Sequence, residues 1–331
     1  MASAALRSRI VVGRRLGFGG LFSRVSPQPQ HWSPSVRHFA ASAATLRVGG
    51  VPEHFNGPFH WSLAEGNAYS AASPPLPVVW HTYPKGTGEM IAALESGEVD
   101  VACVLLEGAV AAITKGAPLR IFGTYVESPL TWGVHAKAGS AINSISDLKG
   151  KMFGVSRMGS GSHLMACVMA LQEGWSMDDV PMHVTGSLED AREAMKAGVI
   201  DAWLWEKFTT NFLVEEGEWK RVGEVPTPWP CFVFVAKQST CAERGAELRR
   251  LLSLTRPVCQ EYKANPDGRT VRYVSENHRL PLNLAEEWLG TVQWACSPEV
   301  SSEALDKASS LLLQTKQVSK TVPASELVAT V

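Results

Sequence analysis

Residues 91–108 read IAALESGEVDVACVLLEG, and residues 191–206 read AREAMKAGVIDAWLWE. Each stretch joins an amphipathic helical pattern to a glycine, a short aliphatic run and a Glu where that run ends: Gly97 and Glu107 in the first, Gly198 and Glu206 in the second. A glycine directly after a helix supplies the left-handed residue that a C-cap favours. Asp100 and Asp201 follow their glycines by three residues in both copies. One helix–turn–strand unit used twice predicts two similar α/β lobes in a single chain, and a cleft between lobes is where a small ligand is held.

Working outward from the first copy, residues 46–50 (LRVGG) read as a strand entering a loop at 51–58, and 78–81 as a second strand. The turn Tyr83-Pro84-Lys85-Gly86-Thr87-Gly88-Glu89 then opens a helix over 90–96, followed by a strand at 99–106, a helix at 109–115 and a strand at 120–124. Around the second copy, strands are expected at 131–136, 152–155, 182–184 and 202–205, with helices starting at Ser146 and covering 164–173, 188–197 and 207–215. Strands and helices alternating at this length argue for parallel βαβ units. The strand at 231–236 (CFVFVA) is expected to return the chain to the first lobe. Beyond it the pattern is mainly helical, over 242–264, 284–296 and 302–314, and the tail after Lys316 lacks periodicity and reads as frayed or loosely docked.

Length and composition narrow the class. The chain has 331 residues, 45% hydrophobic and 19% charged, enough for two domains with real cores. No apolar run approaches the roughly 20 residues needed to span a bilayer. Residues 1–39 hold six Arg (7, 9, 14, 15, 24, 37) and no acid, with Leu6, Ile10, Val11 and Leu16 interleaved. That composition is expected of a mitochondrial presequence, with cleavage near Phe39; a basic tail that binds an anionic partner is the alternative. Removing six of 31 basic residues leaves 25 against 32 acidic ones, a net charge near −7 that favours neither nucleic acid nor anionic membranes. The six cysteines form no CxxC pair and read as small core residues, with Cys231 placed in a turn expected to face a ligand.

Two glycine-rich turns carry the clearest binding chemistry. Gly159-Ser160-Gly161-Ser162 follows a strand and begins a helix, where backbone N–H groups lack partners and the helix dipole favours an anion. Gly86-Thr87-Gly88 is the equivalent in the first lobe; plain N-capping by Ser or Thr fits both turns equally well. Met158 and Arg157 flank the second turn, and Arg157 is either a bidentate partner for an anion or a solvated surface residue. Glu53-His54, Glu107 and Glu206 stand just beyond expected strand ends, the favoured edge for ligands in α/β sheets. Such carboxylates could receive a ligand ammonium or ring N–H, or could simply stabilise the first turn of the next helix. HExxH, GxSxG, GxxxxGK[ST] and GxGxxG motifs are absent and the nine His do not cluster, so no catalytic residue, metal site or cofactor is expected.

Gly86-Thr87-Gly88-Glu89 with 92–100, Ser146-Asp147-Leu148-Lys149-Gly150-Lys151 with the turn at 159–162, and 197–202 occur in an order that resembles the type 2 periplasmic substrate-binding protein superfamily. Within it the chain is similar to the branch of alkanesulfonate- and taurine-binding proteins and of the fungal thiamine-pyrimidine synthases. The resemblance spans roughly residues 46–300. It implies a two-lobed α/β fold with a ligand cleft, one lobe (46–126 and 237–331) interrupted by the other (127–236). It also implies hinges near 127–131 and 227–232, and cleft positions for Trp132, Trp205 and Trp229, each of which could instead be core. The expected partner is a small anionic or zwitterionic molecule, bound without catalysis. The synthases imply a second reading, an enzyme of thiamine-precursor or related cofactor metabolism, for which Lys85 and Cys231 would be the reactive candidates. Their cysteine-rich run has no counterpart here; Cys103-Val104-Leu105-Leu106-Glu107-Gly108 occupies that strand.

Overall fold

In both copies of the repeated unit the Asp after the glycine exchanges two hydrogen bonds with the strand beside it. Asp100 accepts from Arg47 N–H at 2.9 Å while its own N–H donates to the Arg47 carbonyl at 2.9 Å. Asp201 accepts from Met152 N–H at 3.0 Å and donates to the Met152 carbonyl at 2.8 Å. Gly97 (φ 79°) and Gly198 (φ 73°) both take the left-handed conformation that ends their helices. The repeat read from sequence is thus a device that pins strand entry, used once per lobe.

The computed structural model describes residues 45–331, so the expected presequence and its cleavage near Phe39 lie outside the described residues. The strands are β1 (Leu46–Gly50), β2 (Val78–Thr82), β3 (Val101–Leu105), β4 (Leu119–Val126), β5 (Thr131–Lys137), β6 (Phe153–Val155), β7 (Met182–Val184), β8 (Ala202–Glu206), β9 (Trp219–Pro226), β10 (Phe232–Lys237) and β11 (Trp294–Ser297). They form a six-stranded sheet in the order β11-β4-β10-β3-β1-β2 and a five-stranded sheet in the order β7-β6-β8-β5-β9. Each is mixed: β1 runs parallel to β2 and β3, β6 runs parallel to β7 and β8, and the crossing strands β10 and β5 are antiparallel to their neighbours. This is a two-lobed α/β fold with helices packed on both sheets.

The chain passes between lobes at 127–130 and 227–231. These segments are zipped together: Thr227 N–H donates to the Leu130 carbonyl at 2.9 Å, Leu130 N–H to Thr227 Oγ1 at 2.9 Å, and Cys231 N–H to the Ser128 carbonyl at 3.2 Å. β10 pairs with β3 and β4, so the second lobe's segment ends at the crossing and not at residue 236 as the expected boundary had it. Phe122, Tyr125 and Phe234 stack in the first lobe's core; Trp203, Trp219, Leu213 and Met195 make a separate cluster in the second.

Four local expectations give way. β9 (WKRVGEVP) is an edge strand whose polar residues mask any aliphatic run. The expected helix over 284–296 is the helix Leu282–Thr291 followed by β11, and the helix start at Ser146 is a single 3₁₀ turn, Ile145–Leu148. The tail is docked rather than frayed: Val318, Leu327 and Val331 are buried, and Val328 bridges to Ile121. Among the described residues no helix is long and apolar enough to cross a membrane.

Candidate functional site

Both glycine-rich turns open onto one cavity of about 220 Å³ between the lobes. From the first lobe its wall takes Val51, Pro52 and Glu53 after β1, Pro84 to Thr87 after β2, Leu105 at the end of β3, and Phe232. From the second it takes Trp132, Ser156, Arg157, Ser160 to Ser162, Leu188, Trp205, Glu206 and Thr209, with Leu130 from the crossing. The volume is below the 300 Å³ or so at which drug-sized pockets begin, so the occupant is small.

The two helix starts differ in construction. The helix Thr87–Ser96 begins at Gly86 (φ 78°) with no side-chain cap, and Thr87 and Gly88 N–H have no acceptor among the described residues. Thr87 Oγ1 accepts instead from Leu105 N–H at 3.4 Å, tying the turn to β3. The helix Gly161–Gln172 is capped by Ser160, whose Oγ accepts from His163 N–H, and Gly161 and Ser162 N–H are left without acceptors among the described residues. Ser160 and Ser162 hydroxyls lie 2.9 Å apart, and Ser162 Oγ also accepts from Ser156 N–H at 3.1 Å. This chain of hydroxyls can pass one O–H to a ligand, while the free amides and the helix dipoles supply partial positive charge from both lobes.

Aromatic and cationic groups complete that wall. Trp132 is buried with its Nε1–H unpartnered among the described residues, and its ring meets Trp205 edge-on at 6.3 Å. Gly161 has no side chain because a Cβ there would sit 2.8 Å from the Trp132 ring and 3.3 Å from Leu105 across the cleft. The Arg157 guanidinium crosses from the second lobe to lie over Gly88 of the first, where a Cβ would come within 2.8 Å of it. It makes no hydrogen bond or ion pair among the described residues, and partial burial lowers its pKa.

Carboxyls face the same space. Glu53 is pushed up to about 8 by burial and then by Glu206; Glu206 is raised to about 7 by burial, against hydrogen bonds from Thr209 and Phe208. Glu206 Oε2 accepts from Phe208 N–H at 3.0 Å, Thr209 N–H at 2.7 Å and Thr209 Oγ1 at 2.8 Å.

Of the residues singled out in the sequence, Glu53, Lys85, Gly86, Thr87, Trp132, Arg157, Ser160, Gly161, Ser162, Trp205 and Glu206 share this cavity. The structure places seven others elsewhere. His54 is buried behind the wall against Trp288 at 4.4 Å, with Nε2 3.6 Å from Glu206 Oε2, and burial followed by His278 drives its pKa well below the usual range. Gly88 lies under Arg157, Met158 is 56% exposed, and Gly159 spends its N–H on His163 Nδ1 at 2.9 Å. Glu107 and Trp229 are buried against each other, Trp229 Nε1 donating to Glu107 Oε2 at 2.9 Å, because the crossing at 227–231 lies over the end of β3. Cys231, expected to face a ligand, is fully buried outside the wall, and burial pushes its thiol well up. Ser156, Thr209, Leu105, Leu130, Leu188 and Phe232 were not anticipated. Among the described residues no group of three or more His, Cys, Asp or Glu could hold a metal ion.

Comparison with known proteins agrees with this architecture. The family model of the Ca3427-like PBP matches residues 132–225, which is most of the second lobe. The solved Candida albicans CA3427 protein, described as having the generic periplasmic binding protein fold, superposes with a TM-score of 0.78 at 26% identity, over 86% of this chain and 96% of that one. The chain has the periplasmic-binding-protein fold and is similar to these proteins. The alkanesulfonate-binding protein SsuA of Xanthomonas axonopodis pv. citri, solved with MOPS, shares the fold with a TM-score of 0.74 at 21% identity, over 88% of this chain and all of that one. A provisionally assigned aliphatic sulfonates-binding protein of Escherichia coli (strain K12) is 28% identical over 190 residues, 55% of this chain. The match spans 57% of that relative's length.

Proposed function

We propose that this chain binds a small organic anion or zwitterion between its lobes without chemical conversion, closing on it by a hinge at 127–130 and 227–231. The observation that carries the reading is the convergence of two helix starts, one per lobe, whose unpartnered amides open onto a single cavity. Fixed N–H dipoles and an Arg without a counter-ion recognise negative charge, and the indole walls cover an apolar body. The sulfonate named for the Escherichia coli relative is one head group of the right charge and shape. Two ion pairs already join the lobes and would hold them closed: Lys207 of the second lobe lies 3.3 Å from Glu287 of the first, and Arg279 of the first lies 2.7 Å from Glu216 of the second. Residues 1–39 are proposed to direct the chain to mitochondria, which a fluorescent fusion with and without them would test.

The test is thermal unfolding of the chain lacking residues 1–39 with alkanesulfonates, carboxylates and phosphate esters. A ligand at about 100 times its Kd adds roughly 2.7 kcal/mol to stability. Arg157→Ala should reduce that shift strongly while leaving the ligand-free melting temperature almost unchanged. A panel in which neutral molecules stabilise the protein and anions do not would overturn the reading.

A further inference from the structure

We propose that Lys115 of the first lobe and Arg157 of the second hold an oxyanion, free or as the head of a small phosphate ester, in a groove outside the cleft. The bound ion bridges the lobes. It is a second ligand, distinct from the one in the cleft.

The groove runs between the helices Thr87–Ser96 and Leu106–Thr114 and has a volume of about 280 Å³. Its floor of Ile91, Gly108, Ala111, Ala112 and Ala117 is small and apolar and can seat a short organic body. At one end the 157–159 turn of the second lobe reaches across, with Arg157 over Gly88. The space between groove and cleft, bounded by Thr87, Leu105, Gly108, Arg157 and Gly161, holds about 10 Å³. That is room for one water at most, so the cleft ligand does not thread through to the groove.

Two cations meet at this end without a counter-ion. The position a Cβ would take on Gly159 is 3.9 Å from Lys115 Nζ and 4.0 Å from Arg157 Nη1. Lys115 follows the helix Leu106–Thr114 as its C-cap residue, and neither side chain makes an ion pair or hydrogen bond among the described residues. Glu95 is the one carboxylate on the groove wall, and it pairs with neither. A tetrahedral oxyanion beside Gly159 that accepts bonds of about 2.8 Å from both has its centre roughly 4 Å from each nitrogen. Gly159 leaves that space open where a side chain would fill it. The five donors of a guanidinium allow Arg157 to serve this ion and the cleft ligand together.

The other charged contacts between the lobes show what is missing here. Lys207 with Glu287 and Arg279 with Glu216 set base against acid across the lobes. Lys115 and Arg157 set base against base. Like charges brought together by closure oppose it, and an anion between them turns the repulsion into a bridge. An ion that needs both lobes together favours the closed form, so it tightens the cleft ligand, and the cleft ligand tightens it by the same factor.

The test is calorimetric titration of the full chain with inorganic phosphate and with propyl phosphate at fixed ionic strength, the cleft being kept saturated with propanesulfonate. One phosphate should bind per chain, and Lys115→Gln should weaken it at least about fivefold without weakening propanesulfonate in phosphate-free buffer. Lys115 is exposed and has no partner to orphan, so this variant folds. Phosphate should also raise propanesulfonate affinity at least about threefold in the parent chain and not in Lys115→Gln. Propyl phosphate binding tighter than the inorganic ion assigns the groove to an ester, and an affinity no higher assigns it to the free ion. Phosphate that binds only by displacing propanesulfonate, or that binds Lys115→Gln equally well, overturns the proposal and leaves the anion reading of the cleft standing. Phosphate that binds without changing propanesulfonate affinity overturns the bridge. If no sulfonate binds, the cleft reading falls alone, and phosphate titration of the two chains without sulfonate still decides the groove.

Discussion

The two helix starts that meet at the cleft do one job with different parts. The first lobe presents bare amides after a left-handed Gly86, with no capping side chain. The second caps its helix with Ser160 and presents hydroxyls in a relay. A bare turn depends on its backbone conformation, whereas a capped turn depends on the room its side chains leave. The strand clamps differ in the same spirit. Asp100 holds Arg47 through the backbone N–H and through Nε at 3.0 Å and Nη2 at 2.7 Å, with Arg244 3.4 Å away, while Asp201 holds a backbone N–H alone. The same helix–turn–strand unit is thus a clamp on a charged side chain in one lobe and on a backbone N–H in the other.

That contrast in the clamps predicts the largest difference. Asp100→Ala should cost about 1–2 kcal/mol, because it removes a partly exposed charged clasp as well as the acceptor of an N–H, and Asp201→Ala about 1 kcal/mol, the worth of one backbone bond. Chemical denaturation of both variants measures the gap; equal costs would show that the Arg47 clasp adds nothing.

The turns can be separated next. Gly86→Ala meets no neighbouring atom but forces a side chain into φ 78°, ψ −162°, so its main effect should be on stability, a loss of about 1–3 kcal/mol, with a smaller loss of ligand affinity through the turn. Gly161→Ala has an ordinary helical backbone, but its methyl meets Trp132 at 2.8 Å and Leu105 at 3.3 Å from the other lobe. It should cost affinity, about tenfold or more, with less loss of stability in the ligand-free chain. Paired melting and binding curves would show this crossing of effects, and its absence would mean the lobes do not close on Gly161.

The smallest effect is a pH slope. Glu53, Glu107 and Glu206 hold their protons more tightly folded than unfolded; that stabilisation is complete below their ordinary value of 4.5 and is lost as pH climbs to between 7 and 8. His54, His135 and His278 are depressed by burial, and their contribution is present above 6.5 and lost as pH falls toward 4. The two sets oppose each other between 4.5 and 6.5, and only the carboxyls act above it. Ligand-free stability should therefore fall from pH 6.5 to 8, less steeply in Glu53→Gln. A rising or flat profile in the unmodified chain would contradict the assignment.

The repeat was legible because its signals are local: a glycine that must be left-handed, an Asp at fixed offset and an aliphatic run. The Gly/Ser and Gly/Thr turns were legible for the same reason, since the backbone needs those residue types wherever a helix opens toward a ligand. Glu107 and Trp229 mark where such signals stop. Their position at strand ends looks identical to that of Glu206, and only the course of the crossing at 227–231 sets them against each other. Leu105, Leu130, Leu188 and Phe232 are ordinary apolar residues that become cavity wall because two lobes meet there. β9 escaped because an edge strand with one solvated face carries no hydrophobic run.

Amide NMR during titration with a short alkanesulfonate puts the central claim to its most direct test. The account predicts that the Thr87, Gly161 and Ser162 N–H signals move together along one saturation curve, drawn from both lobes. Saturable binding that shifts the amides of one lobe only, or leaves all three unmoved, would contradict it.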